Sequence, residues 1–115
     1  MNIELKRVYD DHGHTEGYRV LVDRLWPRGI AKTELPYDEW LRDLAPSTAL
    51  RKKFGHDPAR WDAFRTEYLA ELKAQAATLA RLRAIARKQR LVLLYGAKDE
   101  EHNQAVVLRD VLQKG

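Results

Sequence analysis

The run Leu91-Val92-Leu93-Leu94-Tyr95 constrains this chain more than any other feature. It is apolar at odd and even positions alike. Successive side chains of a strand point to opposite faces of a sheet, so neither face of this one tolerates water. Such a strand belongs in the middle of a sheet covered on both sides. It is also far too short to cross a bilayer, which takes about 20 apolar residues as a helix.

The rest of the chain supplies neighbours and cover. Ile3–Tyr9 alternates Ile3, Leu5 and Val8-Tyr9 with charged residues and is expected to be a strand. Asp10 to Gly17 is polar, carries two glycines and is expected to be a loop. Tyr18–Leu25 reads as a second strand, stopped by Pro27 and Gly29. Asp38 is placed to cap a short helix through Leu44. Ser47 opens a helix over Thr48–Phe54, and Gly55 ends it. Asp57-Pro58 starts a longer helix with the stripe Trp61, Phe64, Tyr68 and Leu72. Ala76, Leu79, Leu82, Ile85 and Ala86 continue a stripe, either in a second helix or in an extension of the first. Asp99 is placed to cap a last helix with Ala105, Val106, Leu108, Val111 and Leu112 on its apolar side.

This order argues for an α/β fold in a single domain over 1–115. The expected form is a small three-layer sandwich, with a mostly parallel sheet of three to four strands flanked by helices. The eight residues between the first two strands are short for a parallel crossover, so the spacing favours a hairpin. A chain of 115 residues buries roughly two-thirds of its unfolded surface, enough for one core.

Composition narrows the functions. A hydrophobic fraction of 44% argues against disorder. With no cysteine, disulfides, thiolate metal sites and thiol nucleophiles are excluded. Met1-Asn2-Ile3-Glu4-Leu5-Lys6 lacks the apolar stretch of a secretory signal, so a cytoplasmic location and no membrane partner are expected. The 21 basic and 17 acidic residues give a net charge of +4, which permits a phosphate-bearing partner without requiring one.

Ligands of open parallel sheets sit beyond the carboxyl ends of the strands. Those ends here are Tyr9–Asp11, Asp23–Gly29 and Tyr95–Asp99, and parallel strands would bring them to one edge. In the segment Arg19 to Gly29, alternation puts Asp23 in line with Leu21 and Leu25. A carboxylate there is expected to be half-buried, with an arginine as its natural partner. Either Asp23 and an arginine form a buried structural pair, or Arg24 and Arg28 reach the strand end and clamp an anion with their guanidinium forks. Ser47 explains itself as a helix cap, yet Arg51 lies one turn along on the same side, and the two together suit an anion. Lys52 and Lys53 raise the local potential.

After the last strand, Gly96-Ala97-Lys98-Asp99 leads towards His102-Asn103-Gln104. This turn lacks the repeated glycines of nucleotide loops, and Glu100 and Glu101 would repel an anion from the helix start. Lys98 still reaches a strand-end pocket, and Asn103 offers polar contacts. Asp23, Lys98, Asp99 and His102 are the candidates for proton transfer. His12-Gly13-His14 beside Asp10-Asp11 has metal-like composition without a fixed ligand set, so no metal or other cofactor is expected. Arg81, Arg83, Arg87, Lys88 and Arg90, with Lys52 and Lys53, offer an alternative basic face for nucleic acid.

Several of these segments together are distinctive: Lys6-Arg7-Val8-Tyr9-Asp10, Gly17 through Gly29, Ala45-Pro46-Ser47, Leu50-Arg51, Phe54-Gly55-His56-Asp57, and Leu94 through Asp99 with His102-Asn103-Gln104-Ala105. On them, and over nearly its whole length, the chain resembles the YeaO-like branch of a bacterial domain-of-unknown-function family. The resemblance implies a parallel α/β fold whose first two strands run parallel, against the hairpin that the spacing favours. It also implies that longer relatives carry cysteines where Tyr95 and Asn103 stand here, so thiol chemistry does not transfer. The resulting expectation is a domain that binds a phosphate-bearing or other anionic small ligand at the strand-end cleft. Arg24, Arg28 and Arg51 would hold charge there, and Ser47 and Asn103 would orient the ligand. If a reaction occurs, it would be a hydrolysis or transfer.

Overall fold

The computed structural model describes residues 1–11 and 16–115. Four strands form one sheet: β1 (Ile3–Arg7), β2 (Tyr18–Leu21), β3 (Glu39–Trp40) and β4 (Leu91–Tyr95), in the order β1-β4-β2-β3. All pairings are parallel. β4 pairs with β1 from Ile3↔Leu91 to Arg7↔Tyr95, and with β2 from Tyr18↔Leu91 to Leu21↔Leu94. Its five residues are all buried, as its two-sided apolar character demands.

The hairpin favoured by spacing does not form. β1 and β2 run parallel with β4 between them, as the family resemblance implies. The connection starts in the short helix α1 (Val8–Asp11), so Asp10 and Asp11 are helical rather than in a loop.

Alternation along the strands splits the core in two. Leu91, Leu93, Tyr95, Val20 and Val22 face the helices α2 (Thr48–Phe54), α3 (Trp61–Leu72), α4 (Ala76–Lys88) and α5 (Gln104–Lys114). Leu50, Phe54, Phe64, Tyr68, Leu82 and Leu108 fill that layer. Val92, Leu94 and Leu21 face the opposite side, where Val8, Leu35, Trp26, Ile30 and Trp40 cover them. The protein is thus a small α/β sandwich with an uneven third layer, made of α1 and the 22–38 segment.

Local chemistry sets the boundaries. β2 pairs only to Leu21, although Val22 N still donates to the Leu94 carbonyl at 3.0 Å. Leu25, expected inside, is 62% exposed. Asp38 does not cap a helix: its carboxylate accepts from Arg19 N at 2.8 Å, and the residues after it form β3. Ser47 caps α2 by accepting from Leu50 N, and Gly55 ends the helix in the left-handed region. Asp57 accepts from Ala59 N and opens a tight turn, Pro58–Arg60, that feeds α3. A second tight turn, Lys73–Gln75, separates α3 from α4. α5 begins later than Asp99 suggests, because Asn103 caps it: its side-chain oxygen accepts from Ala105 N and Val106 N.

Gly17 joins β2 to the end of α4. Tyr18 N donates to the Arg90 carbonyl at 2.8 Å, and a Cβ on Gly17 would lie 2.6 Å from that oxygen. The buried ion pair expected at Asp23 is made by Arg19 instead. Its guanidinium closes on Asp11, and its Nε donates to the Pro36 carbonyl. No helix among the described residues is long and apolar enough to cross a membrane.

Candidate functional site

A cleft of about 850 Å³ opens at the carboxyl ends of the strands. Tyr9 lines it from α1, directly after β1, Asp23 to Arg28 from the segment after β2, and Gly96 to Asp99 from the segment after β4. Helix α2 and its flanks add Pro46, Thr48, Arg51, Lys52 and His56, and Gln104 comes from the start of α5.

Backbone contacts tie these segments together. Arg7 Nε donates to the Ala97 carbonyl at 3.0 Å, and its guanidinium sits 4.6 Å from the centre of the Tyr9 ring. Tyr9 Oη donates to the Arg28 carbonyl at 2.8 Å. Trp40 Nε1 donates to the Asp23 carbonyl at 2.7 Å.

The Asp23 carboxylate lies in the cleft, half-buried. Gly96 N donates to one oxygen at 2.9 Å, and Gln104 Nε2 donates to the other. Burial pushes its carboxyl up to about 6; the Gly96 and Gln104 donors and the charge of Arg51 limit the rise. Gly96 is required by this approach, because a Cβ there would meet the Asp23 oxygen at 2.8 Å.

The cations of the cleft divide into held and unheld. Arg24 is held: Nε donates to the Pro46 carbonyl at 2.9 Å and Nη2 to the Ala45 carbonyl at 3.1 Å. Arg28, Arg51, Lys52 and Lys98 line the cleft, and no side-chain hydrogen bond or ion pair engages them among the described residues. Their side chains keep every donor available.

The other expected site residues lie around the cleft. Asp99 lines it, but its carboxylate accepts from Glu101 N and His102 N, and His102 Nδ1 lies 2.9 Å away. Those amide donors, Glu101 N foremost, hold the carboxyl below its ordinary value. His102 is outside the lining, with its ring edge-on to Trp61 at 5.3 Å. Asn103 is buried at the α5 cap, where Nδ2 donates to the Asp99 carbonyl. Ser47 also lies outside the lining, its hydroxyl donating to Glu71 at 2.6 Å. Sequence reasoning assigned no role to Gln104 or Arg7. Gln104 lies beyond the cap that spacing puts at Asp99, and Arg7 is one of the charged residues that alternate with the apolar ones along the first strand.

The basic face of α4 is largely engaged. Arg81 forks onto Glu39 at 2.6 and 2.9 Å, Arg83 donates to the carbonyls of Val111 and Leu112, and Arg90 sits 3.6 Å from Glu4. Lys53 pairs with Glu67 at 2.8 Å. The metal-like pair His12 and His14 falls outside the described residues. Among the described residues no group of three or more His, Cys, Asp or Glu side chains could hold a metal ion.

Comparison with known proteins gives the chain its family. Uncharacterized protein YeaO of Escherichia coli strain K12 is 52% identical over 113 residues, covering 98% of each chain. Uncharacterized protein Rv3073c of Mycobacterium tuberculosis strain H37Rv and Uncharacterized protein Mb3100c of Mycobacterium bovis are each 37% identical over 110 residues, or 96% of this chain and 92% of theirs. No solved structure gives a significant match. The family model described as the inactive DUF488-N3 subclade matches residues 2–115, and with these relatives it shows that the chain belongs to the YeaO-like branch of a bacterial domain-of-unknown-function family.

Proposed function

We propose that this protein is a binding module for a phosphate-bearing small molecule, held in the strand-end cleft without chemical conversion. One observation carries the reading: Arg28, Arg51, Lys52 and Lys98 come from three separate segments and line one concavity with no side-chain hydrogen bond or ion pair among the described residues. A phosphate satisfies such donors well, because guanidinium groups bind its oxygens in pairs and lysines add charge. Leu25, Pro27 and Phe54 give the same cleft apolar wall for the rest of the ligand.

Two further observations favour binding over catalysis. The matching subclade is described as inactive. The positions where the family resemblance implies cysteines hold Tyr95, buried in the core, and Asn103, spent on the α5 cap. The nucleic-acid alternative gains no comparable support, because Arg81, Arg83 and Arg90 are bonded within the protein.

A ligand that binds only the folded state at a hundredfold excess over its Kd stabilises it by about 2.7 kcal/mol. Thermal-shift screening against nucleotides, sugar phosphates and phenyl phosphate is therefore expected to raise Tm in the native chain and not in Arg51→Ala. No shift with any of these compounds would remove the reading.

A further inference from the structure

We infer that Asp23 makes the cleft select anions that carry a proton, so that a phosphate monoester is accepted and a sulfate ester of the same shape is refused. The inference rests on the cleft binding an anion, and it concerns which anion. Two carboxylates line the cleft, and they differ in what they have left to offer. Asp99 is filled by Glu101 N, His102 N and the His102 ring. Asp23 takes one donor on each oxygen, Gly96 N and Gln104 Nε2. An ionised carboxylate has about four lone-pair positions, so acceptor capacity is left on the cleft side.

The surroundings leave that capacity for a ligand. Arg51 of α2 faces Asp23 and lowers its pKa, yet makes no ion pair with it. Arg24 and Arg28 of its own segment, Lys98 and Asp99 after β4, and Tyr9 after β1 share the cleft. Tyr68 of α3 feels its charge from the core side. None of them neutralises the carboxylate by direct contact.

An anion held by Arg28, Arg51 and Lys98 therefore meets a carboxylate inside a cationic cleft. A phosphate monoester monoanion turns that meeting into a hydrogen bond, with its P–OH donating to Asp23; charge-assisted bonds of this kind are the strong ones. A sulfate monoester carries only acceptors, so it sets lone pairs and like charge against the carboxylate. The second ionisation of a phosphate monoester falls near pH 6, so one proton is available to the pair through the mildly acidic range. Above that range both free groups are ionised, and binding has to take up a proton.

Titration calorimetry of the full chain with phenyl phosphate and phenyl sulfate tests this, using the native protein, Asp23→Asn and Arg51→Ala. Asn keeps the size of Asp23 and an oxygen for Gly96 N. Its NH2 replaces the oxygen that accepts from Gln104, so Gln104 turns its own carbonyl to one N–H and the other can donate to an anion. The native protein is expected to prefer phenyl phosphate over phenyl sulfate about tenfold or more near pH 6. Its phosphate affinity is expected to fall towards tenfold per pH unit above about pH 7, because one proton is taken up. Asp23→Asn is expected to bind both esters within about twofold of each other and to flatten the pH dependence. Equal affinity of the native protein for both esters, or an unchanged ratio in Asp23→Asn, would overturn the selectivity and leave the anion site standing. Binding of neither ester at any pH would overturn the site and the selectivity together. If Asp23→Asn fails to fold, the native ratio and its pH slope decide the matter alone.

Discussion

Arg19 of β2 and Arg51 of α2 are both arginines beside the sheet, and the protein treats them in opposite ways. Arg19 is 7% exposed, closed on Asp11 and on the Pro36 carbonyl. Arg51 is exposed in the cleft, with no side-chain hydrogen bond or ion pair among the described residues. Arg24 lines the same cleft as Arg51 but spends its guanidinium on the Ala45 and Pro46 carbonyls. A cation taken out of water has to be met by the protein, so Arg19 and Arg24 join segments. A cation left unmet in a concavity is available to something else. The contrast separates arginines that hold the fold from arginines that a ligand can use.

Substitutions break this contrast in order of size. Arg19→Leu removes the guanidinium that closes on the buried Asp11 carboxylate and is expected to cost about 3–5 kcal/mol in urea denaturation. A loss below about 1 kcal/mol would mean that the pair is solvated. Gly96→Ala drives a Cβ against the Asp23 carboxylate and is expected to cost about 1–3 kcal/mol in urea denaturation, with weaker phenyl phosphate binding in titration calorimetry.

Asp23→Asn acts through pH. Burial raises the folded-state pKa of Asp23 from 3.8 to about 6, so between those values the folded state binds the proton more tightly than the unfolded state. Stability from this group is therefore full at low pH and lost as pH rises through about 6. Removing the charge is expected to stabilise the protein by about 1–2 kcal/mol at pH 8, and not at pH 4, read as Tm against pH. Arg51→Ala is expected to change stability by less than about 0.5 kcal/mol while abolishing the ligand-induced rise in Tm.

The sequence made the centre of the fold readable because its signals there are local. Leu91–Tyr95 is apolar on both faces and sits between two neighbours. Ser47, Gly55 and Asp57 punctuate α2 and the start of α3, because a cap is made within a few residues. The features that escaped are long-range. β3 is two residues long, and Glu39 within it is held by Arg81, far along the chain. Asp38 turned to Arg19 N instead of capping a helix, and Asp11 rather than Asp23 met the buried arginine. One local choice also escaped: Asp99 and Asn103 both accept from nearby amides, and it is Asn103 that starts α5 and puts Gln104 on Asp23. The same distinction applies at the cleft. The rule that ligands lie at strand ends located Asp23, Arg28 and Lys98 on one edge. Which cations are already engaged depends on carbonyls and carboxylates brought in by the fold, and no spacing encodes that.

The most direct measurement is a nuclear magnetic resonance titration of the isotope-labelled chain with phenyl phosphate at mildly acidic pH. Binding at the strand ends is expected to move the amide signals of Asp23, Arg28, Arg51, Gly96 and Lys98 together, with one common Kd. Shifts confined to the α4 face around Arg87 and Lys88, or no shifts at millimolar ligand, would contradict it.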